Sequence, residues 1–274
     1  MPAPTFLCIG VQKGGTSWLA RAVAQHPQVA TGSRKELMFF NQREAHARGL
    51  EWYEEQFRVR PRTRAVGEFT PNYWWTRGTT TGNHWLGSAE RVAAAYGDLR
   101  LVVCLRHPVD RAVSAWLHHM RAGRYPPSTG LLEAVERYPD IREFGDHGTQ
   151  LEAWLEHFPL SAFAFLVYET DIRPDTAKRP TLRRVFEHLG VRPGFAPADL
   201  HLARNEGASP FDLRLRHASP ARRRVLEAVP ARWRGSPRWA IEASYDDRAA
   251  LAEHYRPEVA RLEELLGRPL PWTL

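Results

Sequence analysis

One short stretch, FLCIGVQKGGTSW over Phe6–Trp18, most constrains how this chain can fold. An apolar run breaks into glycines around Lys13, and a helix-like segment begins at Thr16. This order predicts a buried strand, a tight loop and a helix start, because glycine permits backbone turns that aim consecutive amides at one point. Those amides, the helix N-terminus and Lys13 together form a seat for an anion, and phosphate is the expected guest. A purely structural turn is the alternative, since glycine-rich turns also occur without a ligand.

The spacing of this loop differs from that of nucleoside triphosphatases, GxxxxGK[ST]. Two glycines fit that spacing, but Thr16 stands where the lysine is required, and Lys13 lies inside the loop. A triphosphatase also needs an acidic residue at the end of a second strand to help hold magnesium. Here the best second strand, 101–105, is followed by Arg106. Arginine there indicates direct charge pairing with a phosphate and no metal.

Length and composition fit one large α/β domain. The chain has 274 residues, of which 43% are hydrophobic and 25% charged, enough for a full core. We find no internal repeat and no low-complexity linker, so we predict a single domain over 1–274. The formal charge of +7 suits an anionic ligand or polymer, although a solvated basic surface accounts for it as well. No dense basic run, zinc spacing or RNA-binding signature favours nucleic acid.

The cysteines and the N-terminus bear on the compartment. Cys8 and Cys104 both fall in predicted core strands, which indicates small buried apolar residues and no disulfide framework. The N-terminus runs into the first strand without a signal sequence, and no stretch approaches the roughly 20 apolar residues of a membrane span. We therefore expect a soluble, cytoplasmic protein without a membrane span.

Further apolar runs complete the predicted sheet and its helices. A continuous run such as 101–105 is typical of a parallel strand covered on both faces. A helix over 109–121 follows it, and Ser114 on this helix can converge with Arg106 on one phosphate. The other predicted strands are 6–9, 29–30, 65–69 and 163–168, and the other predicted helices are 18–24, 44–57, 90–96, 144–157, 181–189 and 242–266. Residues 202–210 form a polar loop, and 218–238 resist assignment.

A charged segment precedes an apolar cluster in SRKELMFF, Ser33–Phe40. One interpretation is a solvated turn followed by core anchors. The other places Glu36 on a loop held by Phe39 and Phe40, close enough to the glycine loop to act as a base. The residues by themselves favour neither interpretation.

Aromatic residues cluster after the strand 65–69. Such clusters are mostly core, but these follow a strand end and precede a Gly/Thr-rich loop, 78–82, so a partly open acceptor wall is the other interpretation. The rings suit a sugar or an aromatic acceptor equally well. The candidate acceptor contacts are Glu68, Tyr73, Trp74, Trp75, Trp85 and Tyr125, the last in a loop, 124–130, interpreted as a lid.

Three stretches, in their order and spacing, resemble a known family. IGVQKGGTSWL, RKELMFF and LRHPVDRAVSAW are similar to motifs of the sulfotransferases that use 3′-phosphoadenosine 5′-phosphosulfate (PAPS). The branch they resemble is typified by heparan sulfate N- and O-sulfotransferases and has many bacterial relatives. GEFTPNYW, LVYETD and YRPEVARLEELLGRPLPW look like the same branch, so the resemblance covers nearly the whole chain.

The resemblance implies a P-loop-like, three-layer α/β fold with a central parallel sheet flanked by helices. It places the 5′-phosphosulfate of the donor on the first motif and the 3′-phosphate on Arg106 and Ser114. It makes Glu36 the general base, and it sets a loop near Arg204–Gly207 over the nucleotide. PAPS is then the donor, adenosine 3′,5′-bisphosphate (PAP) the product, and no metal is implied. The first-motif residues are Lys13, Gly14, Gly15, Thr16 and Ser17, with the adjacent Trp18.

Some features depart from that family or stay open. Phe69 stands where many relatives carry a lysine, which puts the charge preference for the acceptor in doubt. His107, His118 and His119 are second candidates for the base, and Glu68 is another carboxylate candidate. The acceptor is a hydroxyl or an amine of a carbohydrate or small natural product. Two other functions stay open: a magnesium-dependent P-loop kinase or NTPase, and a non-catalytic module that binds polyanions.

Overall fold

Five parallel strands form the central sheet of the computed structural model, which describes residues 2–80, 82–198, 200–201, 210–234 and 240–274. Their spatial order is β2-β3-β1-β4-β5, and every neighbouring pair is parallel. Burial on both faces explains why these strands are continuous apolar runs and not alternating ones. The strands are β1 (Phe6–Gly10), β2 (Val29–Thr31), β3 (Ala65–Phe69), β4 (Arg100–Leu105) and β5 (Phe163–Val167).

Helices cover both faces of this sheet, and alternate strand residues divide between them. Leu7 and Val103 belong to a core with Trp154 and Leu262 on one face. Cys8 and Val102, one residue along, share the opposite core with α1 and α9. The helices are α1 (Thr16–Ala24), α2 (Arg43–His46), α3 (Gly49–Glu55), α4 (Ser88–Ala95), α5 (Pro108–Arg121), α6 (Leu131–Arg137), α7 (Asp140–Glu143), α8 (His147–Leu155), α9 (Asp175–His188), α10 (Pro210–Arg216), α11 (Pro220–Glu227), α12 (Ala231–Arg234) and α13 (Tyr245–Leu266).

Short irregular helices join some strands to their neighbours. A 3₁₀ turn over Pro71–Trp74 follows β3, another over Leu160–Ala162 precedes β5, and a π-helical turn over Tyr168–Ile172 follows β5. The turns after β3 and β5 lie at the carboxyl edge of the sheet, where the loop after β1 also emerges. In parallel α/β sheets this edge is where ligands bind.

The predicted α/β fold class is confirmed, with the sheet parallel and covered on both sides. Each predicted strand lies within about two residues of an observed one. The helix boundaries needed more correction. The predicted helix 44–57 is two helices separated before Gly49, whose φ of 84° no longer continues a right-handed helix. The predicted helix 144–157 begins only at His147, and α9 begins six residues earlier than Thr181 because Pro180 is tolerated inside it.

Other expectations meet a mixed outcome. Residues 218–238, unassigned from sequence, contain α11 and α12 in their described part. Both cysteines are buried and free, as predicted. No helix among the described residues has the length and apolar character needed to cross a membrane. The single-domain organisation stays a prediction.

Candidate active site

The glycine loop after β1 adopts a tightly packed turn. A Cβ on Gly14 would lie 2.0 Å from the carbonyl oxygen of Cys104, so only glycine fits against β4. Lys13 and Gly15 have φ of 72° and 98°, and Gly15 precedes α1 without supplying a side-chain cap. An uncapped helix start at a glycine turn is a typical anion seat, because its first amides lack partners within the helix.

Arg106 joins the end of β4 to this loop. Its Nη1 donates to the backbone carbonyl of Lys13 at 3.1 Å, and its guanidinium lies 4.7 Å from the ring centroid of Tyr168. Its Nε is buried without a hydrogen-bond partner. Behind it, the Nε2 of buried His147 lies 3.0 Å from the Arg106 carbonyl, and burial lowers the pKa of His147 to about 3. That imidazole is therefore neutral and donates to the carbonyl.

Helix α5 turns three polar residues toward the same space. Ser114, His118 and Arg121 are spaced i, i+4 and i+7, which places them on one face of a helix. The helix starts at Pro108, and the Nδ1 of His107 accepts from the backbone N–H of Asp110 at 3.5 Å. α5 thus extends the cationic site that begins at Arg106.

These elements enclose a cavity of about 1100 Å³. Its walls come from the glycine loop and α1, the segment 31–38, the end of β4, α5 and the π-helical turn. Of the described lining residues, Glu36 alone is acidic. The cationic lining residues are Lys13, Arg21, Arg34, Lys35, Arg106, Arg121, Arg173 and Lys178.

The lowered pKa values of two cavity residues indicate that the cavity favours a bound anion. The pKa of Lys13 is lowered to about 8, first by burial and then by the positive charges of Arg121 and Arg106. The pKa of His118 is lowered by burial, Lys13 and Arg121, while Glu36 partly opposes this shift. Repulsion between neighbouring cations disfavours their protonated forms, and an anion bound between them stabilises those forms.

Glu36 lies in the cavity on the segment between β2 and α2. Its Oε1 accepts from Lys35 Nζ at 2.7 Å, and its side chain is 32% exposed. Phe39 and Phe40 are fully buried in the core. The structure thus combines both sequence interpretations, since the apolar residues are core anchors and the carboxylate shares a cavity with Lys13. Its role as a base stays a prediction.

A smaller groove of about 370 Å³ adjoins the cavity at this segment. Arg34, Glu36 and Met38 line both spaces. Trp52 lies in the groove with the guanidinium of Arg48 at 3.8 Å from its ring. This groove was not predicted from the sequence, because the segment 34–38 meets α2 and α3 only in the folded chain.

The proposed acceptor wall is corrected by the structure. Tyr73, Trp74 and Trp75 are buried in the core, and Trp74 packs directly on Gly10 of β1. Trp85 is partly buried outside the cavity, with Arg91 at 3.6 Å from its ring centroid. The hydrophobic drive to bury large rings prevailed over the strand-end position on which the prediction rested.

The predicted lid is also corrected. Tyr125 in the loop 124–130 is buried, donates from its hydroxyl to the Trp116 carbonyl at 2.8 Å, and stacks on Tyr138. Arg124 pairs with Asp140 at 2.7 Å. The loop therefore closes a separate apolar cluster beside α5 and does not cover the cavity.

Glu68 does not face the cavity either. It is 1% exposed, and burial raises its pKa although four hydrogen-bond donors oppose that shift. Two of the candidate histidines also point elsewhere. His107 hydrogen-bonds the Thr273 carbonyl, and His119 lies 3.5 Å from Asp140. His118 alone of the three lines the cavity.

The remaining predicted donor residues have mixed positions. Thr16, Ser17 and Trp18 line the cavity, and Trp18 donates from its indole to the Leu200 carbonyl at 3.1 Å. Arg204 and Gly207 lie outside the described residues. Arg121 also lines the cavity and was not predicted, although its helical spacing from Ser114 was a usable signal. Tyr168, Arg173 and Lys178 line the cavity as well, and no sequence pattern indicates them.

Carboxylates at the strand ends have other partners. Glu169 after β5 accepts hydrogen bonds from the backbone N–H of His107 and from the indole N–H of Trp272, both at 3.0 Å. Within the part of the chain that the structure describes, no cluster of three or more His, Cys, Asp or Glu residues forms a metal site. Arg106 follows β4 directly, and its Nη1 reaches the glycine loop at the Lys13 carbonyl.

Comparisons with known proteins identify a matching family model and similar proteins. Residues 3–199 match the family model described as sulfotransferase domain. Heparan sulfate glucosamine 3-O-sulfotransferase 6 of Homo sapiens is 28% identical over 280 residues, which cover 98% of this chain and 73% of that protein. Heparan sulfate glucosamine 3-O-sulfotransferase 3B1 of Mus musculus is 31% identical over 200 residues, which cover 69% of this chain. The match spans 46% of the length of that mouse relative.

A solved structure supports the fold. A sulfotransferase from Alicyclobacillus acidocaldarius superimposes with a TM-score of 0.72 and covers 98% of both chains. Its sequence identity to this chain is 24%.

Proposed function

The chain belongs to the sulfotransferase domain family, and from that premise we propose that it transfers a sulfuryl group from PAPS to a hydroxyl, or an amine, of a carbohydrate or small natural product. The observation that carries the proposal is the meeting of Lys13, Arg106 and Glu36 in one cavity. Two cations at the ends of neighbouring strands suit the two phosphate groups of the donor. A carboxylate in the same cavity suits the deprotonation of an acceptor.

The loop and β4 would hold the donor at its two ends. The amides after Gly14, with Lys13, Thr16 and Ser17, suit the 5′-phosphosulfate. Arg106 and Ser114 suit the 3′-phosphate, since a guanidinium binds phosphate with paired N–H groups. The buried, unpartnered Nε of Arg106 supports this assignment, because buried donors are almost always hydrogen-bonded.

The chemical step would be an in-line displacement at sulfur. The acceptor oxygen or nitrogen attacks the sulfur, the bond from sulfur to the bridging phosphate oxygen breaks, and PAP leaves. Glu36 takes the proton that the acceptor loses. Lys13 and the loop amides stabilise the negative charge that develops on the leaving phosphate. Binding the donor and the acceptor in one cavity would lower the entropy cost of aligning them.

The groove beside Glu36 supports a ring-containing acceptor. The ring of Trp52 lies in this groove under the Arg48 guanidinium, and Arg34, Gln42 and Glu44 add polar groups, a combination common in carbohydrate sites. The relatives from Homo sapiens and Mus musculus are named for a glucosamine 3-O-position, which favours a sugar hydroxyl.

Calorimetry with PAP tests the donor assignment. We expect tight binding that is unchanged when magnesium is removed, and weak binding of ATP. Transfer of ³⁵S from labelled PAPS to a panel of heparan sulfate, neutral oligosaccharides and phenols then tests the acceptor. A preference for magnesium-ATP would make the loop a triphosphate site and overturn the proposal. Salt-sensitive heparin binding without PAP binding would indicate a polyanion-binding module.

The hydrogen bonds of Glu68 argue against the kinase alternative. β3 lies beside β1 and carries Glu68, the position from which a carboxylate could serve a metal. Its two carboxylate oxygens accept from four protein donors, and the residue does not line the cavity.

A further inference from the structure

The four successive backbone N–H groups after Glu36 all donate hydrogen bonds to one buried group of side chains. This group, the anchor cluster, consists of Glu68, Thr70 and Tyr73. The bonds run from Leu37 N to Glu68 Oε2 (3.1 Å), from Met38 N to Thr70 Oγ1 (3.3 Å), and from Phe39 N and Phe40 N to the Tyr73 hydroxyl (3.0 and 3.4 Å). The backbone N–H groups of residues 37–40 therefore bond to side chains and not to the backbone of a helix or sheet.

Glu68 organises this cluster. The Thr70 hydroxyl donates to its Oε2 at 2.5 Å, and the hydroxyls of Tyr73 and Tyr53 donate to its Oε1 at 2.6 and 3.1 Å. Four donors meet the two oxygens of Glu68, an arrangement that favours the ionised carboxylate, which only accepts, so each hydroxyl turns its hydrogen toward Glu68. The lone pairs of Thr70 and Tyr73 are then left to receive the backbone amides of Met38, Phe39 and Phe40.

The same contacts hold the backbone in a conformation that needs support. Met38 has φ of 58°, the left-handed region that a non-glycine residue rarely adopts. On the other flank of Glu36, the Phe69 N–H donates to the Lys35 carbonyl at 3.1 Å. In this conformation Glu36 and Met38 line the cavity while Leu37 and Phe39 are buried.

We propose that Glu68 is a positioning residue whose carboxylate orients the hydroxyls of Thr70 and Tyr73, and so holds the segment 37–40 that keeps Glu36 in the cavity. This inference rests on the proposed function, in which Glu36 is the base. Glu68 contacts neither PAPS nor the acceptor substrate in this proposal. It is buried, it lies outside the cavity lining, and both its carboxylate oxygens accept hydrogen bonds from the protein. Its contribution passes through the backbone of residues 37–40.

The variant Glu68→Gln tests this role because it keeps the size of the side chain and changes only its polarity. The glutamine amide nitrogen donates hydrogen bonds and does not accept them. In either orientation of the amide, this nitrogen therefore faces protein donors that bond to a carboxylate oxygen in the wild type. A buried hydrogen-bond donor without an acceptor is costly, so we expect the segment 37–40 to lose part of its hydrogen bonding and to open more often. Tyr73→Phe removes the acceptor of two amides while leaving Glu68 in place, and it serves where Glu68→Gln fails to fold.

Tyr53→Phe is the matched control. It removes one donor to the same carboxylate oxygen, also within the core, but the Tyr53 hydroxyl receives no amide of the segment 37–40. It therefore separates loss of a bond to Glu68 from loss of the segment's support.

Hydrogen exchange followed by mass spectrometry over residues 35–42 is the measurement. We expect exchange there to be about tenfold faster in Glu68→Gln and Tyr73→Phe and near wild type in Tyr53→Phe, since protection falls when buried hydrogen bonds are lost. PAP affinity by calorimetry should be unchanged, and in the transfer assay kcat should fall while KM for PAPS stays constant.

Two results would overturn the positioning role. One is wild-type exchange over 35–42 in both Glu68→Gln and Tyr73→Phe. The other is equally faster exchange throughout all three variants, which indicates general destabilisation. Exchange is measured without an acceptor, so failure of the proposed function, seen as absent PAP binding in the wild type, stays distinguishable from failure of this inference.

Discussion

Arg106 donates a hydrogen bond to the backbone carbonyl of Lys13 over 3.1 Å, across 93 residues of sequence. β1 and β4 are hydrogen-bonded neighbours, so their carboxyl ends bring the two residues together. The cation proposed for the 3′-phosphate therefore also fixes the loop proposed for the 5′-phosphosulfate. We expect changes at one end of the donor site to be felt at the other.

Replacing Arg106 with alanine should weaken PAP binding by about 10- to 100-fold, the usual cost of losing a hydrogen bond to a charged group. Arg106→Lys should fall between, because an ammonium keeps the charge and loses the paired geometry. Calorimetry measures both. Arg183→Ala, which removes an exposed pair with Glu187 on α9, is the control. Unchanged affinity in Arg106→Ala would remove Arg106 from the site.

Binding of PAP should be coupled to proton uptake by Lys13. In the unliganded protein the pKa of Lys13 is about 8, so part of the population is neutral near that pH. Phosphate charge favours the protonated form and raises the pKa, so affinity should decline as the pH rises above about 8. Calorimetry at pH 8 in two buffers of different ionisation enthalpy measures the uptake.

The same shift has a defined sign for stability. A lysine whose pKa is lowered on folding reduces the stability of the folded state. This penalty is complete below pH 8 and is lost as the pH rises toward 10.5, the ordinary pKa of lysine. Arg121→Gln removes one cation that lowers the pKa of Lys13, so it should raise that pKa and reduce proton uptake at pH 8. Equal uptake in the variant and the wild type would contradict the assignment.

Glu36→Gln should reduce turnover by about 10²- to 10⁴-fold, the usual contribution of a general base, and leave PAP affinity near wild type. Single-turnover transfer and calorimetry measure the two effects. Glu51→Gln is the control, since it removes an exposed carboxylate on α3 that lies outside the cavity lining, and it should have a small effect. If Glu36→Gln keeps its rate, His118 becomes the next candidate, because it lines the same cavity.

Gly14→Ala should destabilise the fold and abolish PAP binding. The new Cβ would lie 2.0 Å from the Cys104 carbonyl oxygen, so β4 or the loop must shift, at a cost of about 1–3 kcal/mol or more. Urea unfolding measures the loss. Gly97→Ala is the control, because a Cβ there meets nothing within 4 Å. Equal stability of the two variants would show that the loop tolerates the side chain.

The sequence by itself determined the parallel sheet, the glycine loop and the strand-end arginine. These features depend on local properties: apolar runs of strand length, glycines at a turn, and a polar residue directly after a strand. The order of strands in a parallel sheet then brings Lys13 and Arg106 to one edge, which explains why both could be predicted as parts of one site.

Only the tertiary structure decided which way the other polar and aromatic side chains face. Glu68 at the end of β3 was predicted near the acceptor, but Tyr53, Thr70 and Tyr73 surround it and turn it into the core. Trp52 and Arg121, by contrast, reach the open spaces beside Glu36. Burial depends on packing between segments far apart in sequence, whereas the patterns read from a sequence are local, so the same residue type at a strand end can serve the core or the cavity.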